Sequence, residues 1–295
     1  QMPCPSFISV SSQDTSVVVH DRIIARHSLV EFKSSVVDTA CSHTHLFVLT
    51  NEVLVALRLD SMYETPLIAS IERSSTDFLR LRPSQDAENP VVRCTESKDL
   101  CSPLPPHTPV HGSPMLLAAT HSRLFVVDSR DGPSRLFKAF DGHSSTSASV
   151  SQLQMTDSHT VRKIVAGADH VLILTDEGRV LTFGSGSHGE LGVGGVASEC
   201  EPVLVPLPDD VIIQDIAAGT WHSVALTDSN DVYVWGWNRD GQLGSIEEKC
   251  VYEPYPVEVD DVEGIEATGC TTRLEVVEKG KKRLLEFGRM IPRDE

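Results

Sequence analysis

The sequence predicts an all-β fold of repeated small sheets, a β-propeller counted as seven-bladed with degenerate amino-terminal blades. Two observations carry this. Val, Ile, Leu and Ala dominate a hydrophobic fraction of 40%, in short runs between Gly, Pro, Ser and Asp clusters, which favours many short strands over long helices. One stretch of about 50 residues is also written twice without a gap, and that is the period of a propeller blade.

The repeat starts at Lys163 and returns 52 residues later. Gly167 answers Gly219, His170 answers His222, Thr175 answers Thr227 and Val180 answers Val232. Phe183 answers Trp235, Gly184 answers Gly236, Gly189 answers Gly241, and Leu191-Gly192 answers Leu243-Gly244. Glu201-Pro202 and Glu253-Pro254 obey the same offset, so the unit includes its connector. Four strands fit one unit, as in residues 203–206, 212–217, 222–227 and 232–236, with a hairpin turn at Asp228-Ser229-Asn230-Asp231. Apolar residues at successive positions suit sheets covered on both faces.

Weaker copies flank this pair. A third runs from Gly264 to Gly288, its hairpin lengthened by Lys281 and Lys282. Upstream, Leu117-Ala118-Ala119-Thr120 and the following residues 124–127 read as a copy that has lost its glycine. Fainter echoes lie at 8–19 and 39–50, and one more unit fits near 66–81, making about seven. The chain is thus expected to form one propeller over 1–295, with its best-formed repeats at 161–245. Residues 84–114, proline-rich and poor in apolar side chains, are expected to be an exposed loop or disordered insertion.

Charge narrows the function. The formal net charge is -17; residues 1–150 hold 13 basic and 16 acidic side chains, residues 151–295 hold 12 and 26, so the halves carry -3 and -14. A nucleic-acid backbone is bound by clustered Lys and Arg, and the short cluster at 279–283 follows Glu275 and Glu278, which argues against direct nucleic-acid binding. An acidic surface suits a basic protein partner. Seven scattered cysteines form no paired framework, so a reducing compartment is expected, nuclear or cytoplasmic. No run of 18 apolar residues and no signal-peptide pattern occurs, so neither membrane span nor leader is expected.

The phrases Ile216-Ala217-Ala218-Gly219-Thr220-Trp221-His222-Ser223 and Val232-Tyr233-Val234-Trp235-Gly236-Trp237-Asn238, closed by Gly241-Gln242-Leu243-Gly244, strongly resemble repeats of the regulator of chromosome condensation family. The resemblance implies a seven-bladed propeller and a nuclear or chromatin-linked adaptor, a monomer on its own, that pairs with a JmjC-domain oxygenase or a histone-associated factor. It also leaves open guanine nucleotide exchange on a small GTPase, the activity of the family's founding member. The acidic residues such exchange needs cannot be mapped onto the degenerate blades here, so the adaptor is preferred.

No catalytic residues, metal or cofactor are expected. Gly184-Ser185-Gly186-Ser187-His188-Gly189 matches a dinucleotide-binding loop, but Asn238 replaces Gly186 in the next copy and no helix pattern follows. His170 and His222 recur with the repeat and are expected to bond a backbone carbonyl of the neighbouring blade rather than to catalyse. His222-Ser223 lacks a strained nucleophile turn. Cys41, His43 and His45 share a strand face but lack a fourth ligand. Gly167, Gly184, Gly219, Gly236 and Gly241 are expected to serve turns or close packing, and Trp235 to anchor the core. Trp237, Asn238, Arg239 and Asp240, with Glu247 and Glu248 on the following connector, are the candidate protein-binding residues.

Overall fold

The computed structural model describes residues 8–13, 16–21, 26–32, 35–42, 45–50, 53–58, 67–73, 79–83, 91–97, 115–129, 133–141, 151–155, 159–278 and 280–288. Among these residues there are 24 strands and no helix. They fall into two compact units, residues 6–153 and residues 154–295.

In the first unit, β1 (Ile8–Gln13), β2 (Ser16–Asp21) and β3 (Arg26–Phe32) form an antiparallel sheet completed by β9 (Val91–Ser97). A second sheet runs in chain order through β4 (Val36–Cys41), β5 (His45–Thr50), β6 (Val53–Arg58), β7 (Leu67–Arg73) and β8 (Leu79–Pro83). The third contains β10 (Met115–Ala119), β11 (Arg123–Asp128), β12 (Arg135–Asp141) and β13 (Ser151–Leu153). Phe47, Leu49 and Leu54 pack against Leu117, Val126 and Phe137, so the second and third sheets share one core.

Two sequence readings change here. The segment at 66–81 forms no sheet of its own, because β7 pairs with β6 and β8 with β7. Val91–Ser97, inside the stretch read as a loop, is the edge strand β9 on β3; its Val91, Val92 and Thr95 favour extended backbone. Residues 84–90 and 98–114 lie outside the described residues.

The second unit holds three sheets. The first comprises β14 (Val161–Ala166), β15 (His170–Thr175), β16 (Val180–Gly186) and β17 (Ala197–Leu204). The second comprises β18 (Ile213–Ala218), β19 (His222–Thr227), β20 (Val232–Trp237) and β21 (Cys250–Val257). The third comprises β22 (Val262–Thr268), β23 (Thr271–Glu278) and β24 (Lys281–Gly288). The phase of the repeat therefore differs from the sequence reading. Residues up to Leu204 close the sheet before them, pairing with β16, rather than opening the one after.

Every residue of β19 is buried, and strand geometry explains why. Side chains alternate between faces, so Val224 and Leu226 join Leu274 and Val276 of the third sheet, while Ala225 joins Leu172 and Leu174 of the first. Each middle strand thus serves two cores. Asp215 of β18 pairs with Lys163 of β14 at 2.5 Å across the same junction.

The described residues amount to six sheets, four or five strands in most, and the fold class is all-β of the propeller kind. The seven-unit count rests on the sequence alone. A register irregularity shows how far the repeat extends: one residue is skipped after Val36, Val161, Ile213 and Val262 at the start of four sheets. In the first three of these the starting residue faces Thr50, Thr175 and Thr227 respectively. The echo at 39–50 therefore shares the backbone register of the well-formed copies.

Candidate functional site

The repeated glycine and histidine make one device. The turn closes by the Gly167 N–H donating to the His170 carbonyl at 2.9 Å, repeated from Gly219 to His222 at 2.9 Å. The imidazole then folds back over its own glycine, so that a Cβ at Gly167 or Gly219 would strike the ring of His170 or His222. Neither glycine has a positive φ; close approach is what excludes a side chain. At Gly184 and Gly236 the backbone does demand glycine, with φ of 106° and 103°.

Each ring reaches into the next sheet, where its side-chain partner is a hydroxyl; the backbone of His222 in that sheet also acts on the His170 ring, as the sequence reading expected. His170 Nε2 lies 3.1 Å from Ser223 Oγ, and His222 Nε2 lies 2.9 Å from Thr272 Oγ1. Those hydroxyls donate onward to the carbonyls of Glu190 (2.8 Å) and Gln242 (2.7 Å). A hydroxyl has one proton, so each must accept from its histidine, which fixes the Nε2–H tautomer. Each relay thus leads from the ring to a hydroxyl of the next sheet and back to a carbonyl in the loop of the ring's own sheet. His170–Ser223 is consequently no nucleophile pair: the imidazole donates rather than accepts, and both residues are fully buried. Burial lowers the pKa of His170 to about 4 and that of His222 to about 3.

Chemistry particular to one copy lies where the copies differ. Three such positions, one from a loop of the first sheet of this unit and two from the second, meet side by side. Trp237 at the end of β20, Trp221 before β19 and His188 after β16 correspond, at the 52-residue offset, to Ser185, Asp169 and Asp240. Ring centroids of His188 and Trp237 are 4.0 Å apart at 86°, those of His188 and Trp221 5.6 Å, and those of the two indoles 6.2 Å. All three side chains are half-buried. Below them the Glu190 carboxylate is 1% exposed, accepts from the His188 N–H at 2.6 Å, and lies 3.8 Å from His188 Nδ1. Burial raises its pKa. The Glu190 carbonyl also accepts from Trp235 Nε1 at 2.9 Å, and Trp235, fully buried, is the core anchor the sequence suggested.

Of the candidate binding residues, Trp237 lies in this cluster. Arg239, Glu247 and Glu248 are exposed, and Asp240 is half-buried. Asn238 departs from the expectation. It is 7% exposed; its Nδ2 donates to the carbonyls of Ile246 (2.7 Å) and Glu248 (3.0 Å), while its Oδ1 accepts from the Leu243 N–H (2.9 Å). Its amide is spent on closing the loop. Asn238→Ala should therefore cost about 1–3 kcal/mol in urea unfolding, the range for leaving buried backbone groups unpaired.

Trp221 and His188 were not singled out by sequence reasoning, although the mismatch between aligned copies marks both. After Gly184-Ser185-Gly186-Ser187-His188-Gly189 come turns and then β17, so this loop meets no helix. Cys41 donates to the Ser42 carbonyl, and burial pushes its thiol up to about 12, far from the thiolate that zinc requires. His43 lies outside the described residues, and His45 stacks on Phe47 at 5.9 Å.

Comparison with known proteins places the repeats. The model of the regulator of chromosome condensation (RCC1) repeat matches residues 177–226 and 229–270, and a second model of that repeat matches 161–190 and 213–242. A mouse protein, RCC1 domain-containing protein 1, is 46% identical over 83 residues, 28% of this chain and 22% of its own length. The chain thus matches about a fifth of that relative. Human WBSCR16 superposes with a TM-score of 0.58 at 15% identity, over 85% of this chain and 62% of its own. Prp20p from Saccharomyces cerevisiae, described with its binding to Gsp1p and histones, superposes with a TM-score of 0.52 at 14% identity, over 97% of this chain and 69% of its own. At such identities these two structures speak for the fold.

Proposed function

We propose that this chain, an RCC1-type repeat protein with its repeats at 161–270, is a non-enzymatic interaction module that binds another protein through the His188–Trp221–Trp237 loop cluster. The observation that carries this is the coincidence of three ring side chains, half-buried and side by side, at positions where the other copy has polar residues. Rings at the mouth of a sheet junction are the anchors of protein interfaces. The chain is read as a single propeller over 1–295, a monomer on its own. The resemblance in its repeats supports a nuclear or chromatin-linked adaptor, with a JmjC-domain oxygenase or a histone-associated factor as partner.

The test has two arms. Trp237→Ala is expected to weaken association with the captured partner by at least ~tenfold in titration, while denaturation shows little change in stability. Reversing Glu247 and Glu248 to Lys should chiefly slow association and flatten its salt dependence, as rim charges do. Unchanged affinity in both variants would place the interface elsewhere. In the second arm, the protein in catalytic amounts should leave nucleotide release from nuclear small GTPases unaccelerated; acceleration would replace the adaptor by an exchange factor.

A further inference from the structure

The ring cluster is specific enough to indicate what it binds. With centroids 4.0, 5.6 and 6.2 Å apart, the three rings already touch one another and admit no group between them. What they offer a ligand is the exposed part of two half-buried indoles, tilted 58° to each other. An aromatic face attracts cations through its quadrupole. The charge around the cluster points the same way. The loop from Trp237 to Lys249 carries acidic Asp240, Glu247 and Glu248 against basic Arg239 and Lys249, and residues 151–295 carry -14 overall. Glu247 and Glu248 are exposed and enter no ion pair among the described residues.

Shape then separates the cations. An ammonium is held best inside an enclosing cage, which touching rings do not form. A guanidinium is flat, stacks on a ring face and still donates in its plane to carboxylates at the rim. We propose that the Trp221–Trp237 surface receives arginine side chains of a basic, extended segment in the partner, with Glu247 and Glu248 as the rim acceptors. This rests on the reading of the chain as an interaction module and specifies the ligand of that same cluster.

The probes are octa-arginine, octa-lysine and octa-citrulline peptides, titrated into the full chain by calorimetry at two salt concentrations. Octa-arginine should bind at least ~fivefold more tightly than octa-lysine, because only the guanidinium stacks, and octa-citrulline, planar but neutral, should not bind. Trp237→Ala should bring octa-arginine down to the level of octa-lysine. Trp237→Phe, which keeps a smaller face and guards against misfolding of the alanine variant, should fall between. Equal binding of the two basic peptides, or an arginine preference that survives Trp237→Ala, overturns the inference and means that only diffuse acidity attracts cations. Retained partner binding that still depends on Trp237, without any arginine preference, overturns the inference alone; partner binding indifferent to Trp237 overturns the interaction reading itself.

Discussion

Gly219→Val should destabilise the protein by about 3–5 kcal/mol in chemical denaturation, among the larger effects a point change produces. The new Cβ would sit 2.0 Å from Cε1 and 2.4 Å from Nδ1 of the His222 ring. The imidazole can escape only by leaving Thr272, which gives up a buried hydrogen bond and strands the hydroxyl's acceptor site. Gly195→Ala is the matched control, since its Cβ would meet nothing within 4 Å and its φ is not positive; it should stay within about 0.5 kcal/mol. The degenerate sheets suggest a further arm. Ser42 and Thr120 stand where the repeats have glycine, each with its N–H closing the same turn, onto His45 and Arg123 at 2.8 and 2.9 Å. There the hydroxyl accepts from the N–H of the turn's last residue, at 3.0 and 3.2 Å, and the residue in the histidine position is half-buried or exposed. Glycine and folded-back histidine come and go together. Gly219→Ser should therefore be less damaging in a His222→Ala background than alone, and additive effects in that double-mutant cycle would refute the coupling.

The second large effect is on acid stability. In the unfolded chain His170 and His222 titrate near 6.5, whereas in the native state burial lowers them to about 4 and about 3. The native state thus holds both rings neutral, with Nδ1 of each buried and without a hydrogen-bond partner. As pH falls below 6.5 the unfolded state takes up protons that the native state refuses, and stability is lost. The slope is about 1.4 kcal/mol per pH unit for each ring, so roughly 2.7 for the pair between about pH 6 and pH 4, fading once the native rings protonate near 4 and 3. Urea midpoints across that window give the slope. His222→Gln removes one titrating ring and should lower the slope by about half; an unchanged slope would mean that other groups set the acid limit.

The repeated half was legible because each of its constraints leaves a letter. A close approach demands glycine at Gly219, a left-handed backbone demands it at Gly236, and a two-sided core demands an apolar run in β19. The strand after each loop was assigned to the wrong sheet, because Glu201-Pro202 and Glu253-Pro254 recur at the same period whichever neighbour they pair with. In β4–β5 the glycine is gone, and the copy persists in backbone register with Thr50 among the few residue identities left to report it. The site was half legible. Trp237 stood out as an aromatic beside a polar loop; Asn238 shared that setting, yet the partners of its amide lie eight and ten residues away. Trp221 was hidden by its place in a family phrase, and His188 by a glycine motif.

The relay from one sheet to the next also has a return. The Ala168 N–H donates to the Thr220 carbonyl and the Thr220 N–H to the Gly269 carbonyl, at 2.9 and 2.8 Å, while His170 and His222 donate to hydroxyls in the same sense. At these turns the first sheet of the unit donates to the second and the second to the third, while the Ser223, Trp235 and Thr272 side chains return bonds to the Glu190 and Gln242 carbonyls, so each junction is tied in both senses. Such a row couples nearest neighbours only, as in a linear repeat array. Opening of the β22–β24 sheet would release the Thr220 amide and the His222 ring while the junction upstream stays shut.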